Sequence, residues 1–539
     1  MIFGKVKIIF EIIFEGRRLS FYQNHPVMKI EYICHSSILI TTKNSKIITD
    51  PWFNGPCYLN QWNVFPKPVN TSWTNEVTHV LISHGHEDHL HVPTLNLIRK
   101  DAEIFYPYQW KSGIISLFSS MGFQRTHEAI SFKTHQLDDE TKVTYIANSL
   151  DSIVVIENNG QVILNLNDAL NSHHKFFIKL FVEQIKKHWK KIDVMICGMG
   201  GAGYFPNTVH YPGKNDREIG ELREQFLVHN FCKLVQDLQP EKVIPFVPGF
   251  VLLADDKRWI NEIKFDRNKL SDYYKNNFDG DSKIEFLPMQ PGDILEKNEY
   301  KKVSPYREEE EVSSVEEMVL KQYGNEILEY NKPKMADEET ANTVIQKLRK
   351  YVPLAAKVYH PELLQKIKFA IRLNDVEQKN YFNVNYYKGN FEIFRTENLL
   401  SDRTILIRTT SEIMLHSFAS EWGGDVLFVG YGADVDVFDV DVLQDNLDIV
   451  CLRLLTRYPT ASKTMIKNPM RALKYLFTNP HLSKLAVTQK IKANGNPNKL
   501  PFNERSHWIN KSKCEVCMAC DIPLMSDEWG EILEALEVK

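Results

Sequence analysis

Up to about residue 300 the chain alternates short runs of β-branched and aliphatic residues with turns and longer stretches of helical periodicity, the pattern of an α/β sandwich. Residues 33–40 and 46–52 predict two antiparallel strands, the second ending in the acidic turn Asp50-Pro51-Trp52. Val80-Leu81-Ile82 predicts a buried strand, and residues 151–164 alternate around Asn158-Asn159-Gly160 as a β-hairpin does. From 301 to 343 the pattern gives way to acidic, polar sequence containing Glu308-Glu309-Glu310-Glu311, which predicts a linker with a helix in it. Residues 344–490 open with helical periodicity around Val344-Ile345-Gln346-Lys347-Leu348. They turn strand-like at 381–387 and 404–408 and return to helix near 442–455 and 470–477. That is a smaller α+β accessory domain, followed by a mostly polar tail over 491–539.

Composition narrows the classes. A chain of 539 residues is too long for one core. With 43% apolar and 25% charged residues it is ordinary globular protein. A net charge of -4 gives no general pull toward nucleic acid or anionic membrane. No apolar run is long enough to span a bilayer. Residues 8–14 are apolar but interrupted by Glu11 and read as a strand or short helix, not as a leader. Cys34, Cys57, Cys197, Cys232 and Cys451 lie in or beside apolar stretches and read as core, so no disulfide framework is expected and the cytoplasm is the expected compartment.

Chemistry enters with His84-Gly85-His86-Glu87-Asp88-His89, directly after the buried strand. A tight loop there can aim His84 and His86 at one metal and Asp88 and His89 at its neighbour, since imidazole suits zinc and iron and a carboxylate can lie between two ions. Asp168 closes the second strand of that hairpin and is a further candidate ligand. His35 and Asp50, at strand ends upstream, are expected to hydrogen-bond near the pocket, with Asp50 orienting a ligand histidine.

The H-x-H-x-D-H spacing resembles the metallo-β-lactamase superfamily, which implies an αββα sandwich over 1–300 and Asp168 as the bridging carboxylate. A narrower resemblance is to the metal domain of the CMP-N-acetylneuraminate hydroxylase family. It rests on Asp50-Pro51-Trp52-Phe53-Asn54-Gly55-Pro56, on the histidine motif with Pro93-Thr94-Leu95, and on Gly200-Gly201-Ala202-Gly203-Tyr204-Phe205-Pro206. Asp237-Leu238-Gln239-Pro240, residues 243–250 and a weaker similarity over 422–432 complete it. The resemblance implies oxidative chemistry in a carbohydrate or nucleotide-sugar setting.

The chain departs from that family in two ways. The stretch ahead of residue 28 has no cysteine, so the Rieske iron–sulphur domain that precedes the metal domain in the hydroxylases is not expected here. A full dinuclear site of the lactamase type would also place a histidine near 148, where the chain has Ala147-Asn148-Ser149-Leu150. It would place another after the strand at 243, where the chain has Phe246-Val247-Pro248-Gly249. The candidates to make good the loss are His173, His174 and His210. A mononuclear site at Asp88, His89 and Asp168 is the other option, with ligands closer to iron or manganese chemistry than to zinc. In the tail, Cys514, Cys517 and Cys520, with His507 as a fourth donor, read as an iron–sulphur or zinc loop. Gly200-Gly201-Ala202-Gly203 lacks the Rossmann and P-loop spacings and reads as a tight turn at the metal pocket.

The expectation is therefore a metalloenzyme with one or two divalent ions, zinc or iron, held by His84, His86, Asp88, His89 and Asp168. Its substrate would be a small molecule, a sugar or nucleotide-sugar, with electrons from the tail cluster or a separate donor protein. The alternatives are a hydrolase of phosphoesters or lactones, in which Asp88 helps orient a metal-activated water, and a non-catalytic metal-binding scaffold.

Overall fold

A computed structural model describes residues 28–480, apart from 110–112, 149–150, 171–174, 204–206, 279–282, 360, 440–441, 443–446 and 458–466. Two mixed sheets face each other. The strands that matter for the site are β1 (Lys29–Cys34), β2 (Ser37–Thr41), β3 (Lys46–Thr49) and β4 (His79–Leu81) in the first sheet. The second contributes β5 (Thr141–Asn148), β6 (Asp151–Asn158), β7 (Gln161–Asn167), β8 (Val194–Gly198) and β9 (Lys242–Phe246). In each sheet antiparallel hairpins lead into a parallel half: β3 runs parallel to β4, and β7, β8 and β9 run parallel in turn.

Alternation along the strands builds the layers. On β2, Ile38 and Ile40 point between the sheets while Leu39 points outward. On β6, Val154 and Ile156 point inward while Ile153 and Val155 point outward. The outward residues of the second sheet are covered by α1 (Lys175–His188) and α2 (Asp216–Leu238) through Phe181, Ile185, Phe231 and Leu234. The helices Val92–Leu95 and Ile114–Ser120 cover the first sheet through Leu95 and Phe118. Strands buried on both faces read as continuous apolar runs, which is why the sequence shows blocks rather than strict alternation. The result is the expected αββα sandwich.

The acidic segment, expected to be a linker with a helix in it, is largely helical. Tyr306–Val312 is followed by α3 (Val315–Tyr330), which opens with a capping box between Ser314 and Glu317. Val319, Tyr323 and Ile327 recur every fourth residue and pack on Val251 and Leu253 of the sandwich. Leu320 and Leu328 remain exposed on the same helix, so composition alone does not single out the buried stripe.

A third, six-stranded sheet lies C-terminal to α3, with α4 (Glu338–Ala355) packed on it. Its edge strand, Val209–His210, comes from the sandwich and pairs in parallel with Asp434–Val437. His210 anchors that junction. Its Nδ1 lies 2.7 Å from Asp216 Oδ2 and its Nε2 3.8 Å from Asp434 Oδ1, so it is not among the metal-site residues as a substitute ligand. The hydrogen bond to Asp216, then the nearby Asp434 carboxylate, lift its pKa to about 9. The stabilisation from the charged imidazole is fully present below its unfolded value of about 6.5 and is lost as pH rises through about 9. Replacing His210 with Ala should therefore cost stability at pH 6 and much less above pH 9, as read by denaturant unfolding across pH.

The five buried cysteines, Cys34, Cys57, Cys197, Cys232 and Cys451, are unpaired core residues, as expected. Among the described residues no helix is long and apolar enough to cross a membrane.

Candidate metal centre

The histidine motif and the carboxylates around it gather at one end of the sandwich. Asp50 follows β3, the histidine motif follows β4, Asp168 follows β7, and residues 247–249 follow β9. These are the carboxyl ends of the parallel strands, where the chain leaves both sheets and functional loops collect. His35 joins them from the turn between β1 and β2, at a left-handed φ of 44°.

Asp50, fully buried, organises the motif. One carboxylate oxygen accepts from the Ser83 N–H at 2.7 Å. The other accepts from the Ser83 hydroxyl at 2.7 Å and lies 3.0 Å from His89 Nδ1. Because the Ser83 hydroxyl spends its proton on Asp50, it can only accept from His84 Nδ1, 2.9 Å away. Both imidazoles are thereby held with a proton on Nδ1, which leaves Nε2 to a cation or to a second proton. That is the orienting role expected of Asp50, extended to a second histidine.

Nε2 of His89 faces carboxylates, and Nε2 of His84 faces a ring nitrogen and a carboxylate. His89 Nε2 is 3.3 Å from Asp88 Oδ2 and 3.2 Å from Asp168 Oδ2, with no hydrogen-bond partner among the described residues. His84 Nε2 is 2.8 Å from His86 Nδ1 and 3.7 Å from Asp151 Oδ1, and the latter oxygen is likewise buried without a partner. A bare nitrogen lone pair against carboxylates is unfavourable unless a proton or a cation lies between them. Burial would lower the pKa of His89, but Asp88, Asp168 and Asp50 together hold it well above the ordinary histidine value. Burial, with His89 and His86 nearby, holds His84 well below that value. Burial pushes Asp151 up to about 6. The donors match a divalent cation better than they match one another.

Three overlapping groups have ligand atoms mutually within 4.8 Å: His84, His86 and Asp151; His84, His89 and Asp168; and His35, Asp88 and His89. All five residues expected from the motif and the following strand are thus brought together. Asp151 was not expected. It lies directly across the β5–β6 ladder from Asn148, the position where a histidine was missed. Opposed residues of an antiparallel pair share a face, so a carboxylate at 151 reaches the space a ligand at 148 would use. The signal was the cross-strand register of the hairpin, which turn spacing alone did not reveal.

His35 has a different role. Its Nδ1 accepts the Gly249 N–H at 3.2 Å, so the neutral ring carries its proton on Nε2 and donates it to Asp88 Oδ2 at 3.0 Å. No lone pair is left for a metal. Burial lowers its pKa and favours this neutral form. The other oxygen of Asp88 accepts from the buried Tyr58 hydroxyl at 2.5 Å, a partner the sequence did not suggest. Burial alone would raise the Asp88 pKa, but His89 and His35 hold it well below the ordinary carboxylate value.

The Gly-rich turn supports this arrangement from behind. A Cβ on Gly200 would lie 2.5 Å from Pro248, and the Gly201 N–H donates to Glu224 on α2. At Gly249 a Cβ would fall 2.6 Å from the His35 Cα and 2.8 Å from its nitrogen. That collision is with backbone and no rotamer relieves it. Gly249→Ala should cost about 1–3 kcal/mol in denaturant unfolding and weaken metal binding by displacing His35.

His173 and His174 lie outside the described residues, as do Cys514, Cys517, Cys520 and His507.

Comparison with known families agrees with this geometry. The profile described as "Beta-lactamase superfamily domain" matches residues 29–246, which takes in β1 through β9 and every residue of the three groups. The chain carries a metallo-β-lactamase-fold domain.

Among curated relatives, a Mycobacterium tuberculosis protein described as a Rieske 2Fe-2S iron–sulphur protein is 23% identical over 248 residues, 44% of this chain and 46% of that protein. Cytidine monophosphate-N-acetylneuraminic acid hydroxylase of Danio rerio is 25% identical over 247 residues, 43% of this chain and 40% of that protein. The chain thus spans less than half the length of either relative. Among solved structures, Igni18, a metallo hydrolase from Ignicoccus hospitalis, covers 50% of this chain and 98% of its own, at 15% identity and a TM-score of 0.33.

Proposed function

We propose that the metallo-β-lactamase-fold domain is a metalloenzyme centre for two divalent ions. His84, His86 and Asp151 would hold one, Asp88 and His89 the other, with Asp168 between them. The observation that carries this reading is the pair of buried, partnerless atoms, His89 Nε2 and Asp151 Oδ1, each aimed at further ligand-type groups. The donor set mixes imidazoles with Asp88, Asp151 and Asp168 and includes no thiolate, which favours iron or manganese over softer metals.

On that donor set, and on the similarity to hydroxylases, the chemistry is oxidation of a small molecule, with a carbohydrate or nucleotide-sugar as the substrate class. When bound, iron would supply Lewis acidity and one-electron chemistry. Electrons would come from a separate donor or from a cluster at Cys514, Cys517, Cys520 and His507. The chain's own residues prepare the site. Asp50 and Ser83 keep the lone pairs of His84 and His89 turned inward. His35 and Tyr58 pin both oxygens of Asp88, and burial keeps competing water from these ligands.

The test is dioxygen consumption by the iron-loaded chain with ascorbate as reductant, over a panel of nucleotide sugars. Substrate-dependent consumption that His89→Ala abolishes is expected. Hydrolysis of bis-p-nitrophenyl phosphate or a lactone by the zinc-loaded chain, with no dioxygen used, would transfer the site to the hydrolases.

A further inference from the structure

The third sheet and its helices have no part in the metal centre as described so far, yet one of their loops reaches it. Residues 422–432 include the short helix Asp425–Phe428 and end in Gly430-Tyr431-Gly432. A Cβ on Gly430 would lie 2.7 Å from the Cβ of Tyr58 and 2.8 Å from Gln61 Nε2. A Cβ on Gly432 would lie 2.9 Å from Gln61 Oε1. The buried Gln61 amide clasps both sides, donating to the Tyr58 carbonyl at 2.8 Å and to the Val426 carbonyl at 3.0 Å. Next to it, the Tyr431 ring joins the Trp62–Phe250 stack, and its carbonyl accepts from Lys257 at 2.7 Å.

What this loop presses on is a strained turn. Tyr58, Leu59 and Asn60 all have positive φ, at 51°, 59° and 66°. Three consecutive non-glycine residues in the left-handed region persist only when their surroundings over-determine them. On one side the Tyr58 N–H donates to Glu87 at 2.7 Å, inside the histidine motif, and its hydroxyl donates to Asp88. On the other side there is Gly430, where any larger residue would enter the space of Tyr58, and the Gln61 clasp.

We infer that the C-terminal unit positions the metal centre: Gly430 and the Gln61–Val426 clasp hold the Tyr58 turn, and Tyr58 in turn fixes Asp88. Tyr58, Gln61 and Gly430 are positioning residues. The inference rests on the proposed two-metal reading and gives the third sheet a role in it. It implies an asymmetry. Only the ion held by Asp88 and His89 depends on the C-terminal unit, whereas the one held by His84, His86 and Asp151 does not. It also implies that Tyr58 and Gly430 act through one path, so their effects do not add.

The experiment is titration of the metal-free chain with Co(II), read by visible absorption and by competition with a chelator. Tyr58→Phe, Gly430→Ala, Gln61→Ala and the double variant Tyr58→Phe with Gly430→Ala are compared with the parent. Parent binding at both sites is expected, with one site weakened about 10–100-fold in each single variant, as for loss of a ligand-orienting partner. The other site should be unchanged, and the double variant no weaker than the worse single one. Gln61→Ala removes a tie without adding bulk, so it decides the matter if Gly430→Ala does not fold. Weakening by Tyr58→Phe but not by Gln61→Ala or a folded Gly430→Ala would overturn the inference while leaving the two-metal reading standing. Equal weakening of both sites would overturn it too. A parent chain that binds no Co(II) would overturn the two-metal reading and this inference with it.

Discussion

Asp168→Ala is expected to abolish turnover and to strip metal from both positions. Its carboxylate is 3.2 Å from His89 and shares a ligand group with His84 and His89, so it faces both proposed ions at once. Losing it removes a charge of −1 from a site whose other donors are mostly neutral imidazoles, and it opens a gap that water fills poorly. The loss in affinity should exceed the roughly 10–100-fold that follows from losing a residue that only orients a ligand. Asp168 is also 27% exposed in its side chain, against 3% for Asp88 and 15% for Asp151, so the fold should tolerate the change. The expected signature is an unchanged unfolding midpoint for the metal-free protein beside near-complete loss of bound metal. Asn at this position should restore less than half of the metal, since its amide supplies one neutral oxygen.

Asp50→Ala should do the opposite and damage the fold first. Asp50 is fully buried and meets three donors: the Ser83 N–H, the Ser83 hydroxyl and His89 Nδ1. Removing one partner of a buried charged pair typically costs about 3–5 kcal/mol, because the remaining groups keep their desolvation cost without compensation. A metal-free sample should show that loss in denaturant unfolding. Metal affinity should fall as well, since His89 loses the partner that fixes its proton on Nδ1 and His84 loses the carboxylate that keeps the Ser83 hydroxyl an acceptor. Comparing Asp168→Ala with Asp50→Ala therefore separates a ligand from a residue that holds ligands.

Much of this arrangement was legible in the sequence, for identifiable reasons. Val80-Leu81-Ile82 followed by the histidine motif marks a strand end whatever the tertiary context. Asp168 follows from the hairpin and the strand after it. Asp50 beside His89 follows from a carboxylate closing the neighbouring parallel strand. What stayed hidden depends on contacts that local pattern does not carry. Asp151 is found only through its register opposite Asn148. Tyr58 reaches Asp88 from a turn thirty residues earlier in the chain. The tautomer that makes His35 a donor rather than a ligand comes from the Gly249 N–H, 214 residues away. A helix in the acidic segment was legible, but not its packing on Val251 and Leu253, which no local pattern carries.

The most direct test of the central claim is metal analysis of the chain purified without oxygen, paired with the same analysis of His84→Ala and His89→Ala. The account predicts about two divalent ions per chain in the parent, with iron as the main metal, and loss from each variant. A parent that carries no metal and takes up none on addition of Fe(II), Mn(II) or Zn(II) would contradict it.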